Sequence, residues 1–200
     1  MVSNEIEKRT FQCEVRAEGD DKPKIVGYGA VFNRESSLIA GWFKEIIEPS
    51  AFDHVLDDDV RGLFNHDPNY ILGRTEAGTL SLGVDETGLR YEITPPETQT
   101  IQDLVMQPLI RGDITQSSFA FSVAIKGDEW DEDEKGVVIR TITKIQRLYD
   151  VSPVTYPAYP DASAATRSHD AWKESRNVAE VKKALFQRQS RERLLQLIKT

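Results

Sequence analysis

Only one cysteine, Cys13, occurs in the 200-residue chain. No disulfide can form within it, and no cysteine-based metal site is available. No apolar stretch approaches the roughly 20 residues needed to cross a bilayer. The first ten residues, MVSNEIEKRT, are polar and mixed in charge, without the apolar run of a secretion signal. These shortages predict a reducing, cytoplasmic setting with no membrane association. Positive charge is also in deficit: 25 Lys and Arg stand against 33 Asp and Glu, a net charge of −8. That balance argues against general nucleic-acid binding. Histidine is scarce too, represented by His54, His66 and His169.

What is present suffices for a globular domain. The chain is 39% hydrophobic, enough to fill a core. Residues 1–160 read mostly as strands. TFQCEVRA and KIVGYGAVF carry β-branched and aromatic residues between turn formers. TLSLGV and LRYEITPP flank Asp85–Gly88, which predicts a hairpin. VVIRTITKIQRLYDVSPV supplies one long strand or two. A short helix is expected over SAFDHVL with Ser50 as its cap. A longer one is expected over ETQTIQDLVMQPLI, with Pro108 as a kink or stop. The acidic runs LDDDV and DEWDEDEKG read as solvated turns.

Charge divides unevenly. Residues 170–200 hold eight Lys and Arg against four Asp and Glu, about +4, which leaves about −12 for residues 1–169. The expected organisation is a main domain at 1–160, a Pro/Ala/Ser-rich linker at 161–169 and a basic helical tail at 170–200. In the tail, Val178, Val181 and Leu185 fall on one helical face, and Leu194, Leu195 and Ile198 extend an apolar surface.

Three places could carry chemistry. In RGDITQSSFAF, alternation along a strand puts Ser117, Phe119 and Phe121 on a bulky face. Ser118, Ala120 and Ser122 form a small face open to another side chain, as a nucleophilic serine requires. Taken alone, the stretch reads as an ordinary strand with small residues. The Arg111-Gly112-Asp113 tripeptide needs no adhesion reading, because a helix ending there favours glycine at position 112. His66 closes the apolar run VRGLFNHDP, where Asp67-Pro68 predicts a turn. Asp150, in RLYDVSPV, interrupts an apolar stretch in which an unpaired carboxylate is costly. It could bond local backbone or orient an imidazole.

Five segments in order bear a resemblance: GYGAVFN, GWFKEIIEPSAF, VRGLFNHDPNYILGRTEAGTLSL, RGDITQSSFAFSV and LYDVSPVTYPAYP. Together they resemble the tailed-phage prohead maturation proteases, serine peptidases similar in fold to the herpesvirus assemblins. The resemblance spans about residues 9–167. It implies an α+β fold with a mostly β, barrel-like core, peripheral helices and a C-terminal helical tail. It also implies His66 as general base, Ser118 as nucleophile within an S-F-[GA]-F pattern, and Asp150 as the carboxylate that orients the histidine. Gln116 and Ser117 stand where Gly-Met is usual, and Ser50 where glycine is usual. The implied activity is cleavage of the major capsid protein or its scaffolding region, and of the chain itself, inside the assembling prohead in the host cytoplasm. The tail is then a candidate for autocleavage. The resemblance implies no cofactor and admits self-association. No metal is expected, and charge and the lack of a long apolar stretch give the expectation of no nucleic-acid or membrane partner. Two other readings stand beside it: a catalytically idle assembly or scaffold factor, and a metal-dependent hydrolase using His66.

Overall fold

The computed structural model describes residues 5–11, 15–19, 21–156 and 163–198. The chain divides into two compact units, Met1–Ala162 and Ser163–Thr200. The described part of the first unit holds twelve strands: β1 (Glu7–Phe11), β2 (Val15–Glu18), β3 (Lys24–Val31), β4 (Phe43–Ile47), β5 (Arg61–Phe64), β6 (Asp67–Arg74), β7 (Leu80–Val84), β8 (Gly88–Ile93), β9 (Gln116–Val123), β10 (Asp128–Glu132), β11 (Val138–Ile142) and β12 (Ile145–Val154). They form a five-stranded sheet β1-β9-β12-β5-β6, a four-stranded sheet β2-β3-β8-β7 and a three-stranded sheet β10-β11-β4.

The class is α+β with a mostly β core, as expected. Closure is not: a barrel needs an unbroken ladder of strand pairs at a consistent stagger. Among the described residues β1 and β6 remain edges of the largest sheet, so it stays open. The core draws Ile25, Leu89, Tyr91 and Ile93 from the four-stranded sheet and Phe119, Phe121, Leu148 and Val151 from the five-stranded one. Gly62 on β5 lets the sheets approach closely, since a Cβ there would come 2.6 Å from the Ile93 side chain.

Local elements follow the sequence with informative departures. Asp85 caps the expected hairpin turn by accepting the Thr87 and Gly88 backbone N–H groups at 2.8 and 3.1 Å. The long apolar run resolves into two strands, β11 and β12. The SAFDHVL stretch forms only a 3-10 turn, Pro49–Phe52, entered from Glu48 rather than capped by Ser50. The helix around Pro108 is a composite of Gln99–Ile101, a π-helical turn Gln102–Met106 and Gln107–Arg111. Proline has no N–H to continue an α-helical ladder, and the wider turn just before it accommodates that loss. Gly112 ends the helix in the left-handed conformation at φ 82°, as its position requires.

The acidic runs are not simple solvated turns. Asp58 accepts the Leu148 backbone N–H at 3.0 Å. Asp59 takes a two-point contact from Arg74, at 2.7 Å on each oxygen, and this bonding holds its carboxyl down at about 2. Asp128 joins a buried charge cluster. In that cluster Arg140 meets Glu7 at 2.7 Å, Glu45 at 3.1 Å and Asp128 at 2.8 Å, while Arg9 meets Glu45 at 2.7 Å and also pairs with Glu7. Burial works to raise the Glu7 carboxyl, but Arg140 and Arg9 outweigh it and hold the group below its ordinary value. Burial likewise opposes the charge on Arg140, and Glu45 and Glu7 reverse the effect and raise it. The cluster pins β1 to β4, β10 and β11.

The second unit is a helix, Ser163–Ile198. Residues 163–169, expected as linker, are therefore helical; residues 161 and 162 lie outside the described residues. Val178 and Phe186 are exposed. The side chains of Val181, Leu185, Leu194, Leu195 and Ile198 lie outside the described part. Among the described residues no helix is long and apolar enough to cross a membrane.

Candidate active site

The three residues singled out from the sequence come from three strands or their ends and meet at one point. Ser118 sits near the start of β9, and Asp150 on the neighbouring β12. The register sets Ser152 directly opposite Ser118 and Asp150 opposite Ala120. His66 comes from the turn between β5 and β6, and β5 lies beside β12 in the same sheet.

That turn is tighter than the sequence suggests. Phe64 pairs with Asp67, so the loop is Asn65-His66 alone, and Asp67-Pro68 belongs to β6. Both loop residues are left-handed, at φ 55° and 57°. A two-residue hairpin of this hand normally favours Asn-Gly, because the second residue then needs no Cβ. Histidine in that place carries a conformational cost, and such costs gather at functional sites. Asn65 anchors the turn to the end of β12. Its N–H donates to the Pro153 carbonyl at 3.1 Å, and its side-chain oxygen accepts from the Thr155 N–H at 2.8 Å.

The imidazole is therefore held between two partners. His66 Nδ1 lies 2.6 Å from Asp150 Oδ1, and Nε2 lies 2.7 Å from Ser118 Oγ. An ionised carboxylate can only accept, so the proton of the first contact resides on Nδ1. The hydroxyl of Ser118 has a second acceptor, the Arg9 carbonyl on β1, at 2.8 Å. It has one proton to give. With a neutral imidazole it donates to Nε2; with an imidazolium it donates to Arg9 and accepts from Nε2. Both protonation states are satisfied without moving a heavy atom.

The serine doublet separates as the alternation requires. Ser117 faces inward, its Oγ 2.9 Å from the Tyr91 hydroxyl. The small-residue face is not open, however: Ser118, Ala120 and Ser122 are all buried, Ser118 with no exposed area. β9 is an inner strand between β1 and β12, and His66 lies over its small face. His54 is exposed and takes no part in these contacts, and His169 belongs to the C-terminal helix of the second unit. Among the described residues no three histidine, cysteine or carboxylate side chains converge as metal ligands would.

Sequence reasoning missed two contributors. Ser152 donates to Asp150 Oδ1 at 2.7 Å, and only the two-residue spacing on one strand face could have flagged it. Arg9 contributes a backbone carbonyl, which no side-chain pattern announces.

A family model described as caudovirus prohead serine protease matches residues 11–175, a span that contains His66, Ser118 and Asp150. No curated protein and no solved structure matches the chain significantly. With more than four fifths of its length matched, the chain belongs to the prohead serine protease family.

Proposed function

We propose that this member of the family hydrolyses peptide bonds in capsid subunits through Ser118, His66 and Asp150. The observation that carries the reading is the continuous chain Asp150–His66–Ser118, with contacts of 2.6 and 2.7 Å between residues far apart in sequence. Nε2 accepts the Ser118 proton as Oγ attacks the scissile carbonyl, and returns it to the leaving amine. Asp150 keeps the proton on Nδ1 and stabilises the imidazolium. In the second half of the cycle the same nitrogen activates water against the acyl-enzyme.

The substrate is the major capsid protein, at its scaffolding region, within the assembling prohead, and the chain also cuts itself. Ser118 has no exposed area in this conformation, so a substrate carbonyl reaches it only after a local opening. Such a closed state fits a protease that must wait for assembly. Self-cleavage falls between about residues 160 and 175 or within the basic helix, which serves until then as a docking element. Co-expression with the capsid subunit, read by intact mass, tests the reading. Shortened capsid subunit and shortened protease are expected from the unaltered chain and from Ser117→Ala, and full-length chains from Ser118→Ala. Unchanged processing by Ser118→Ala would refute it.

A further inference from the structure

We infer that Ser152 is a positioning residue of this site, fixing the Asp150 carboxylate through which His66 is oriented. The inference rests on the catalytic reading above. Ser152 is fully buried on β12, opposite Ser118 across the strand pair and two residues from Asp150 on the same face. Its Oγ lies 2.7 Å from Asp150 Oδ1 and 3.4 Å from His66 Nδ1. The same Oδ1 receives His66 Nδ1 at 2.6 Å. Three polar atoms thus form a closed triangle inside the protein.

Proton counting fixes the direction of each bond. Nδ1 carries its proton toward Asp150, so it cannot accept from Ser152. The Ser152 hydroxyl must give its proton to Oδ1, which therefore accepts twice. A buried carboxylate with a single donor is poorly compensated and free to rotate about its side-chain torsion. With two donors converging on one oxygen, the carboxylate is held in one rotamer. Ser152 also leans its backbone against the core, since its carbonyl lies 3.5 Å from the Ser117 hydroxyl, which is tied to Tyr91. That connection gives the hydroxyl a fixed platform. Its short contact is to Asp150 at 2.7 Å, against 3.4 Å to His66 Nδ1, so its effect on the imidazole passes mainly through Asp150.

The test pairs turnover with a direct view of the imidazole. Hydrogen bonds to charged groups are worth enough that Ser152→Ala should lower kcat about 10- to 100-fold with KM nearly unchanged. In protein labelled with ¹⁵N-histidine, the downfield Nδ1–H resonance of His66 should broaden or shift upfield. Ser152→Thr, which keeps the hydroxyl, should restore both. A Ser152→Ala chain with kcat within about twofold and an unaltered Nδ1–H resonance would overturn the inference. A loss of kcat that Ser152→Thr does not restore, with the resonance intact, would assign Ser152 to packing and overturn it equally. The resonance can also be read in a Ser118→Ala background. Failure of the catalytic reading, seen as processing by Ser118→Ala, is thus separable from failure of Ser152 to hold Asp150.

Discussion

Two buried polar networks lie on either side of β1, and they are built on opposite plans. On one side Glu7, Arg9, Glu45, Arg140 and Asp128 form a cluster in which both arginines and both glutamates have more than one charged partner. On the other, Asp150, His66 and Ser118 form a line in which one hydroxyl proton has two acceptors. The cluster is made of arginine–carboxylate contacts, in which no hydroxyl has a choice of acceptors. The line has a proton that can move at almost no geometric cost. Burial of polar groups alone therefore does not separate the two networks; a hydroxyl proton with a choice of acceptors does.

The comparison can be broken at either side. The largest expected effect is on turnover: Ser118→Ala and His66→Ala should each lower cleavage by about 10⁶, near the limit of detection for a peptide assay. Both chains should still show the far-UV spectrum of the unaltered protein. Asp150→Asn should lose about 10⁴, because the amide no longer enforces the Nδ1 proton. Near-normal turnover in that variant would remove Asp150 from the site.

The charge cluster should respond in stability instead. Arg140→Ala leaves Glu7, Glu45 and Asp128 short of a buried partner and should cost about 3–5 kcal/mol in urea unfolding. Acid should reach the same cluster. The Glu7 carboxyl is lowered in the folded protein, so its contribution is full above the unfolded value near 4.5 and is lost as pH falls through the folded value. Glu7→Gln should flatten that part of the stability–pH curve. A smaller effect sharpens the contrast at the hairpin. His66→Gly and His66→Ala lose the same contacts, but only glycine relieves the left-handed backbone. The glycine variant should be more stable by about 1 kcal/mol, with both inactive.

The unequal legibility of the two networks has a physical cause. Strand alternation separates the faces of Ser117 and Ser118, and an apolar surround singles out Asp150, but only the family resemblance gives these residues roles. His66 was readable as a strand-end histidine, although its turn was misplaced by two residues because Asp67-Pro68 is the stronger local turn former. The charge cluster was hidden for the reverse reason. Glu7, Lys8 and Arg9 lie in the polar, mixed-charge opening stretch of the sequence, and Glu45, Asp128 and Arg140 are scattered among three other strands. Their burial arises from pairing across strands distant in sequence, which no local period encodes. Sheet topology was likewise beyond local pattern: alternation identifies strands but does not say whether the edges meet. The π-helical turn was half visible, since Pro108 marked the trouble but not its resolution.

The most direct test of the central claim is to ask which oxygen is nucleophilic. The full chain, co-assembled with its capsid subunit, is treated with a fluorophosphonate and mapped by peptide mass. A single phosphonylated residue, Ser118, is expected, and it should disappear in His66→Ala. Modification at Ser117, or equal labelling of Ser118 without the histidine, would contradict the account.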